Sequence, residues 1–207
     1  MNFIKFIKKR VLESPFAYSL LQSVMGASRG RTDLINKYIK PYPGMNVLDI
    51  GCGPADILNN LTDINYWGFD ISKDYIDHAK IKFGFRAKFL CKKLEQSDLN
   101  DLPKFDVVLA LGLIHHLNDD TAVQLLKLAK NALNPSGKII TIDPCYDSDQ
   151  NLIAKFLIMN DRGNHVRNMK EYLALAKIVF KKPKVALKHQ KFIPYTHCIM
   201  QLSDINT

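Results

Sequence analysis

The stretch VLDIGCGPADIL, residues 47–58, decides the fold. A β-branched and aliphatic run ends at Asp49, Gly51 and Gly53 follow, and apolar residues at helical spacing come next. A glycine-rich turn between a buried strand and a helix lets the backbone approach a ligand closely. The stretch therefore predicts a nucleotide-binding loop at the carboxyl end of a strand, with a helix over residues 54–61.

The acidic residues around this loop indicate which nucleotide it binds. A dinucleotide loop has a third glycine three residues after the second, beside a pyrophosphate, whereas this chain has Asp56 there. A carboxylate beside a pyrophosphate is electrostatically unfavourable, and Asp49 suits a cationic ligand better. Asp70 ends the next predicted strand, about 20 residues on, where an acid can accept both ribose hydroxyl groups. The pattern predicts a site for a cationic nucleoside and disfavours a nicotinamide oxidoreductase.

Strands and helices alternate through the middle of the chain. The predicted strands are NVLDI, YWGFD, RAKFL, FDVVLALG and KIITID, and the predicted helices between them cover about 54–61, 72–83 and 119–133. Short apolar strands that alternate with helices indicate a parallel sheet covered on both faces. Near the end, KVALKHQKF and YTHCIMQLS predict an antiparallel hairpin at the sheet edge.

The turn-forming segment KPYPGM marks the best internal boundary. We expect residues 1–43 to form an N-terminal helical lid or extension, with one helix over 31–39. Residues 44–207 then form the ligand-binding domain. Helical patterns after the fifth strand predict an insertion over about 147–180, which includes a helix from about residue 169 to 180.

The bulk composition fits one domain with a core: 207 residues, 47% hydrophobic and 24% charged. The formal net charge is +9, concentrated at both ends, where six lysine or arginine residues face one acid in 1–31 and seven lysines face one acid in 168–191. Basic segments of this kind could bind nucleic acid, an anionic membrane or an acidic substrate, or could simply form solvated surface. The four cysteines match no zinc spacing, and no signal-peptide core is present, so we expect reduced thiols, no metal and a cytoplasmic protein.

Four motifs in order, VLDIGCGPA, YWGFDIS, FDVVLALGLIHHL and ALNPSGKIITID, resemble those of the class I S-adenosylmethionine-dependent methyltransferases over about residues 44–143. The resemblance implies an α/β, Rossmann-like sheet of seven strands in the order 3-2-1-4-5-7-6, with strand 7 antiparallel and helices on both faces. It implies S-adenosyl-L-methionine as cofactor, S-adenosyl-L-homocysteine as product, and a transferase that needs no metal.

The resemblance also implies the cofactor site. The loop takes the methionine part, Asp70 the ribose, and an arginine in GASRGR the methionine carboxylate. The stretch CKKLEQSDL places no acid neatly at the adenine, so backbone groups there serve instead. The implied cofactor-binding residues are Asp49, Gly51, Cys52, Gly53, Asp70, Ile71, Leu94, Leu111 and Arg31.

The methyl acceptor should lie beyond the fourth strand, at LGLIHHL. Enzymes that modify nucleobase amino groups resemble one another in an Asn/Asp-Pro-Pro-aromatic motif there, which this chain lacks; its DPCY follows the fifth strand, and Cys145 is expected to be a packed thiol. Nucleic acid is therefore a disfavoured acceptor. We predict His115 as a general base and His116 in the acceptor site, while a capping or packing pair stays an alternative.

The segment DRGNHVR is dense in polar groups and follows an apolar helix. It reads either as a surface loop or as a lid over the acceptor, with His165 as a second candidate base. Arginine forks suit a carboxylate or phosphate on the substrate. The remaining predicted acceptor-binding residues are Tyr146, Arg162, Arg167 and Tyr195.

Taken together, the sequence favours O-methylation of a small molecule such as a sugar, lipid precursor, quinone or secondary metabolite. The alternatives are a regulatory S-adenosylmethionine-binding protein without catalysis, and a methyltransferase that acts on RNA or at a membrane surface. The lysine-studded, amphipathic N-terminus suits peripheral membrane contact. The pattern indicates no oligomeric state.

Overall fold

The structure, a computed structural model, describes residues 32, 34–159, 163–190 and 195–204. Most of the predicted N-terminal lid lies outside these residues, and so do Arg31 and Arg162. The prediction of two domains stays a prediction for that reason.

The described strands form one sheet in the order β3-β2-β1-β4-β5-β8-β7, with β6 paired to β5 beside this path. The strands are β1 (Asn46–Ile50), β2 (Asn65–Asp70), β3 (Lys88–Cys91), β4 (Phe105–Leu111), β5 (Leu133–Tyr146), β6 (Arg167–Asn168), β7 (Lys184–Gln190) and β8 (Tyr195–Leu202). β1 to β5 pair in parallel, and β8 runs antiparallel to both β5 and β7. Without the two-residue β6, this is the predicted order 3-2-1-4-5-7-6 with its antiparallel strand, so the prediction is confirmed.

Four α-helices lie within the described residues, and three of them begin at a side chain that accepts a backbone N–H. They are α1 (Lys73–Phe83), α2 (Asp119–Ala132), α3 (Leu152–Met159) and α4 (Met169–Val179). Ser72 caps α1, Asn118 caps α2, and Asn168 forms a reciprocal capping box with Glu171 at α4. The predicted helices 72–83, 119–133 and 169–180 therefore exist almost within their predicted bounds.

The sheet is buried on both faces because neighbouring strand residues point in opposite directions. One face packs Leu48, Val108 and Ile139 with Leu126 of α2 and Tyr172 of α4. The other face packs Val47, Val107 and Ile140 with Ile76 of α1 and Ile35. Continuous apolar strands were the signal for this arrangement, and the two cores confirm it.

The helix predicted after the glycine loop is a single 3₁₀ turn, Asp56–Asn59, so that prediction was wrong in length. Ala55 lies in the left-handed region at φ 55° and delays the start. Arg86 then donates to the carbonyl oxygens of Leu58 and Leu61, at 2.7 Å for Leu61, and ends the segment there. Carbonyl groups taken by a guanidinium do not continue a helix.

The helix predicted over 31–39 is described as a short wide-turn helix, Ile35–Ile39. It ends at Lys40, whose N–H donates to the carbonyl oxygen of Ile35 at 2.7 Å. Lys40 adopts the left-handed conformation at φ 54°, which a lysine rarely adopts. The segment leads directly into β1 and lies on the core face of α1.

Candidate active site

The glycine loop follows β1 and is tied to the end of β2. The N–H groups of Gly51 and Cys52 both donate to the carbonyl oxygen of Phe69, at 2.8 and 3.0 Å. Gly51 has φ 71°, and a Cβ on it would lie 3.0 Å from a methyl group of Leu113. Gly53 has φ 54°, and a Cβ there would meet no atom of the described residues within 4 Å. The loop therefore needs glycine for its conformation, and open space lies beside its second glycine.

Asp70 ends β2 and binds the loop from the other side. One carboxylate oxygen accepts the N–H of Gly53 at 2.9 Å, and the other accepts the N–H of Ser72 at 2.8 Å. The carboxylate is fixed between the glycine loop and the start of α1. Each oxygen has a further lone pair for a hydroxyl donor. The structure thus brings Gly53 and Asp70 together, as the sequence predicted.

Asp49 lies buried beneath the loop at 2% exposure. The pKa of its carboxyl group is raised to about 7, chiefly by burial and also by the charge of Asp70, while a hydrogen bond from Tyr66 opposes the rise. The Tyr66 hydroxyl donates to Asp49 Oδ2 at 2.6 Å. Burial, with the charges of Asp49 and Asp70, also raises the pKa of the Cys52 thiol. Two acids that interact in a buried place make this site attractive to a cation.

The other predicted cofactor residues lie around this loop in different environments. Leu94 is buried, Leu111 is half-buried at the end of β4, and Ile71 is 79% exposed beyond β2. Asp56 is buried, and its Oδ1 lies 3.2 Å from Nζ of Lys82 on α1. This is the acid whose charge argued against a pyrophosphate ligand in the sequence analysis. Its charge is therefore engaged by the neighbouring helix.

The two histidines occupy a single helical turn, Ile114–His116, after β4. The backbone N–H of His115 donates to Asp143 Oδ1 at 3.1 Å, and Nδ1 of the same residue lies 2.9 Å from that oxygen. His115 is buried, while His116 is exposed with its ring centroid 4.1 Å from that of His115. If Nδ1–H donates to the carboxylate, the lone pair of the neutral ring lies on Nε2. One carboxylate thus fixes both the backbone and the tautomer of His115.

Asp143 and Tyr66 are site residues that sequence reasoning missed. Asp143 lies in β5, next to β4 in the sheet, and Tyr66 lies in β2, next to β1. For Asp143 the signal was available in the predicted strand order, because residues near the carboxyl ends of adjacent parallel strands come together. Tyr66 lies near the amino end of β2, so this rule does not identify it.

Arg167, predicted to bind substrate, is buried and has all five N–H donors in hydrogen bonds with the protein. Nη1 donates to the carbonyl oxygens of Ile114 and His165, at 3.2 and 2.9 Å. Nη2 donates to the carbonyl oxygen of Leu117 and, together with Nε, to Asp119 Oδ1. No N–H group remains for a substrate anion, so the geometry assigns Arg167 to holding the histidine turn.

Residues 163–165 pack directly over the histidine turn. The N–H of His165 donates to the carbonyl oxygen of His115 at 2.9 Å, and the His165 side chain is exposed. A Cβ on Gly163 would lie 2.0 Å from Cδ2 of the His115 ring and 2.7 Å from its carbonyl oxygen. Only a glycine fits this close approach. The described end of DRGNHVR therefore packs on the turn, and its role as a lid over the acceptor stays a prediction.

The two predicted tyrosines have separate surroundings. Tyr146 lines a cavity of about 300 Å³ together with Lys155 and Asn168. Tyr195 is buried at the start of β8, with its ring centroid 4.9 Å from that of His197. Their predicted substrate contacts stay predictions.

Clusters of potential metal ligands and apolar helices of membrane-spanning length are both absent from the described residues. No group of three or more His, Cys, Asp or Glu side chains in this part of the chain is arranged to hold a metal ion. No helix within the described ranges has the length and apolar character needed to cross a membrane.

Comparisons with known proteins agree with this geometry. A family model described as a methyltransferase domain matches residues 47–137. A tRNA U34 carboxymethyltransferase of Campylobacter lari is 32% identical over 132 residues, 59% of this chain and 43% of that protein. An O-methyltransferase of Pyrenophora dematioidea is 25% identical over 137 residues, 60% of this chain and 50% of that protein.

Among solved structures, human N-acetylserotonin methyltransferase in complex with S-adenosylmethionine superposes with a TM-score of 0.66 at 19% identity. The superposition covers 92% of this chain and 55% of that one. The chain spans about half the length of the curated relatives it matches.

Proposed function

We propose that this chain is a class I S-adenosylmethionine-dependent methyltransferase and that it transfers a methyl group to an oxygen atom of a small molecule. The observation that carries the proposal is the pair of acids around the glycine loop. Asp70 is held by two backbone N–H groups, and Asp49 is buried beside it with a raised pKa. Such a pair suits a nucleoside that carries positive charge.

The residues present fit this cofactor. The two oxygens of Asp70 have lone pairs for the ribose hydroxyl groups, and the space beside Gly53 admits the chain of the amino acid part. Asp49 and Asp70 together supply negative potential toward its cationic groups. When bound, the cofactor supplies an electrophilic methyl group on a sulfonium sulfur.

His115 is the residue we propose to accept the proton of the acceptor hydroxyl. Asp143 holds its Nδ1 at 2.9 Å, which leaves Nε2 as the basic atom and stabilises the imidazolium once it forms. Gly163 packs on its ring and Arg167 fixes the turn, so the imidazole is oriented before a substrate binds. A fixed base and a covered site favour a hydroxyl acceptor, which gains more from a base than an amine does.

RNA is a second candidate acceptor, favoured by two observations. The Campylobacter lari relative carries a tRNA name, and this chain has a net charge of +9. Basic surface supplies much of the affinity for a phosphate backbone. The two candidates differ in a testable way, since methyl transfer to tRNA should weaken steeply with salt and transfer to a small neutral acceptor should not.

Cofactor binding is tested by titration calorimetry with S-adenosyl-L-homocysteine. We expect Asp70→Asn to weaken binding at least ten-fold, because an amide accepts fewer hydrogen bonds than a carboxylate and its NH₂ group would face one of the two backbone N–H donors. Asp74→Asn, the same change four residues on in the first turn of α1, is the matched control and should bind as the wild type does. Equal affinity of Asp70→Asn and wild type would contradict the proposed site.

Turnover is tested with methyl-labelled S-adenosylmethionine, supplied with a panel of phenols, sugars and quinols in one arm and with undermodified bulk tRNA in the other. Label in the small-molecule arm supports the proposal. Label found only in tRNA would show that RNA, the second candidate, is the methyl acceptor. Cofactor binding without label in either arm would favour the regulatory alternative.

A further inference from the structure

A second cavity, here called the amino-edge cavity, lies at the edge of the sheet opposite the glycine loop. It has a volume of about 360 Å³. It lies among the starts of β4 and β5, the end of β8 and the segment that leads into β1. Its polar lining includes Lys40, Tyr42, Asp106, Ser136, Lys138 and Gln201. The glycine loop and the histidine turn follow the carboxyl ends of β1 and β4, so this cavity is separate from the proposed active site.

Two ammonium groups line this cavity without an anionic partner. Among the described residues, neither Lys40 nor Lys138 forms an ion pair or a side-chain hydrogen bond. Lys138 is half-buried in β5, and its burial, followed by the positive charge of Lys40, lowers its pKa. Lys138 loses part of its hydration and also feels the charge of the exposed Lys40, so an anion between the two ammonium groups would be favourable.

The carboxylate in the same cavity is already occupied. Asp106 Oδ2 accepts the backbone N–H of Asn46 at 2.8 Å, and Oδ1 accepts the side-chain amide of Asn134 at 2.7 Å. Partial desolvation, followed by its interaction with Asp106, raises the pKa of the Tyr42 hydroxyl group. Asp106 therefore holds the ends of the neighbouring strands together, and the lysines keep a net positive charge in the cavity.

The backbone of Lys40 adds an independent observation. This residue ends the helical segment Ile35–Ile39 at φ 54° and ψ 65°, a conformation in which glycine is the usual terminator. A lysine there retains backbone strain that glycine would remove. A binding role for the ammonium group of Lys40 in the cavity would account for a lysine at this strained position.

We propose that the amino-edge cavity binds a phosphate-bearing small molecule, whose phosphate group lies between the ammonium groups of Lys40 and Lys138. The hydroxyl group of Ser136 is a further donor along the same wall. The volume is at the lower end of the range of small-molecule sites, about 300 to 1,000 Å³. The inference does not depend on the methyl-transfer reaction.

The experiment is a titration of the ¹⁵N-labelled full chain with inorganic phosphate and with ribose 5-phosphate, followed by NMR. Saturating S-adenosyl-L-homocysteine is present throughout, so that the glycine loop is blocked. We expect saturable shifts of the backbone amides of Lys40, Ser136 and Lys138. Lys40→Gly and Lys138→Met should each weaken binding at least ten-fold, while Lys127→Met, an exposed lysine on α2, should leave it unchanged.

Lys40→Gly separates loss of the site from loss of the fold, because glycine suits the left-handed conformation and the melting temperature should not fall. Shifts that stay linear to tens of millimolar, or an equal effect of Lys127→Met, would indicate diffuse charge attraction and overturn the proposal. Amide shifts at these residues with tRNA but with neither phosphate probe would assign the lysines to a nucleic-acid surface and overturn it as well.

Discussion

The hydroxyl group of Tyr66 donates a 2.6 Å hydrogen bond to the carboxylate of Asp49 inside the core, directly beneath the glycine loop. The two residues lie on adjacent parallel strands, where Asp49 pairs with Gly68 two positions after Tyr66. The bond favours the charged form of Asp49, whereas burial and the neighbouring Asp70 favour the neutral form. Tyr66 therefore sets how much of the carboxylate is ionised near neutral pH.

Tyr66→Phe should raise the pKa of Asp49 above its present value of about 7, because it removes the one interaction that lowers it. An acid whose pKa is raised on folding from 3.8 makes the free energy of unfolding fall as pH rises from about 4 to about 7. The slope approaches about 1.4 kcal/mol per pH unit. Urea denaturation of the ligand-free protein should show the decline ending at a higher pH in Tyr66→Phe. Identical pH profiles for the two proteins would exclude this role of Tyr66.

Cofactor binding should release a proton near pH 7. The positive charges of the ligand stabilise the ionised form of Asp49, so its pKa falls when the complex forms. Titration calorimetry of S-adenosylmethionine in buffers with different ionisation enthalpies measures this directly. The released fraction should be greatest near pH 7 and small at pH 9, where the carboxylate is already charged. Asp49→Asn should abolish the release, and a release that survives this substitution would point to another group.

Arg167→Met should destabilise the fold by about 3 kcal/mol, since it leaves buried carbonyl oxygens without donors. The comparison is Asp119→Asn, because the Asp119 side chain is 74% exposed and contributes less to the same interaction. Urea denaturation gives both values. Arg167→Lys should recover part of the stability, because an ammonium group cannot reach all the acceptors that the guanidinium binds. Destabilisation by Arg167→Met no greater than by Asp119→Asn would show that the buried hydrogen bonds contribute little.

Gly163→Ala should lower kcat while the affinity for S-adenosyl-L-homocysteine stays close to that of the wild type. The added methyl group would overlap the His115 ring and its carbonyl oxygen, so the covering segment must move away. A displacement of about 1 Å at a positioned base can cost on the order of 100-fold in rate. Asn164→Ala, at the exposed neighbouring position, should behave as the wild type does. Wild-type turnover by Gly163→Ala would show that this contact is irrelevant to the reaction.

His115→Gln should reduce turnover by about 100-fold to 10,000-fold, the range typical of general-base catalysis. His116→Gln is the adjacent control and should have a smaller effect, since His116 is exposed, whereas the ring of His115 is buried and held by Asp143. Initial rates measured across pH 5 to 9 separate the two histidines. If His116→Gln loses more activity than His115→Gln, the exposed ring is the base and His115 only supports the turn.

The strands were predictable because each carries a local apolar pattern, and the glycine loop because its glycines and acids are close in sequence. The order of the strands was implied by the family resemblance. The length of the turn after the loop was not predictable. It depends on Ala55 in the left-handed region and on Arg86, which reaches back from beyond α1 to take two carbonyl groups. The spacing of apolar residues in the sequence reveals neither the backbone conformation of Ala55 nor the contacts of Arg86.

Arg167 shows the same limit within the candidate site. An arginine in a polar segment suggests an anion-binding side chain, and sequence alone cannot count its partners. Four of the five hydrogen bonds of Arg167 go to residues at least 48 positions away. Tertiary contacts therefore decide whether such a residue binds a ligand or the protein itself.

The two outer strands of the sheet have a consequence for how separate molecules meet. Each begins with a lysine, Lys88 in β3 and Lys184 in β7, and Lys188 lies further along β7. Two copies that aligned these strands to extend the sheet would bring like charges together. The lysines on these strands therefore oppose aggregation by strand addition. Part of the net charge of +9 thus keeps separate molecules apart, a role that needs no binding partner.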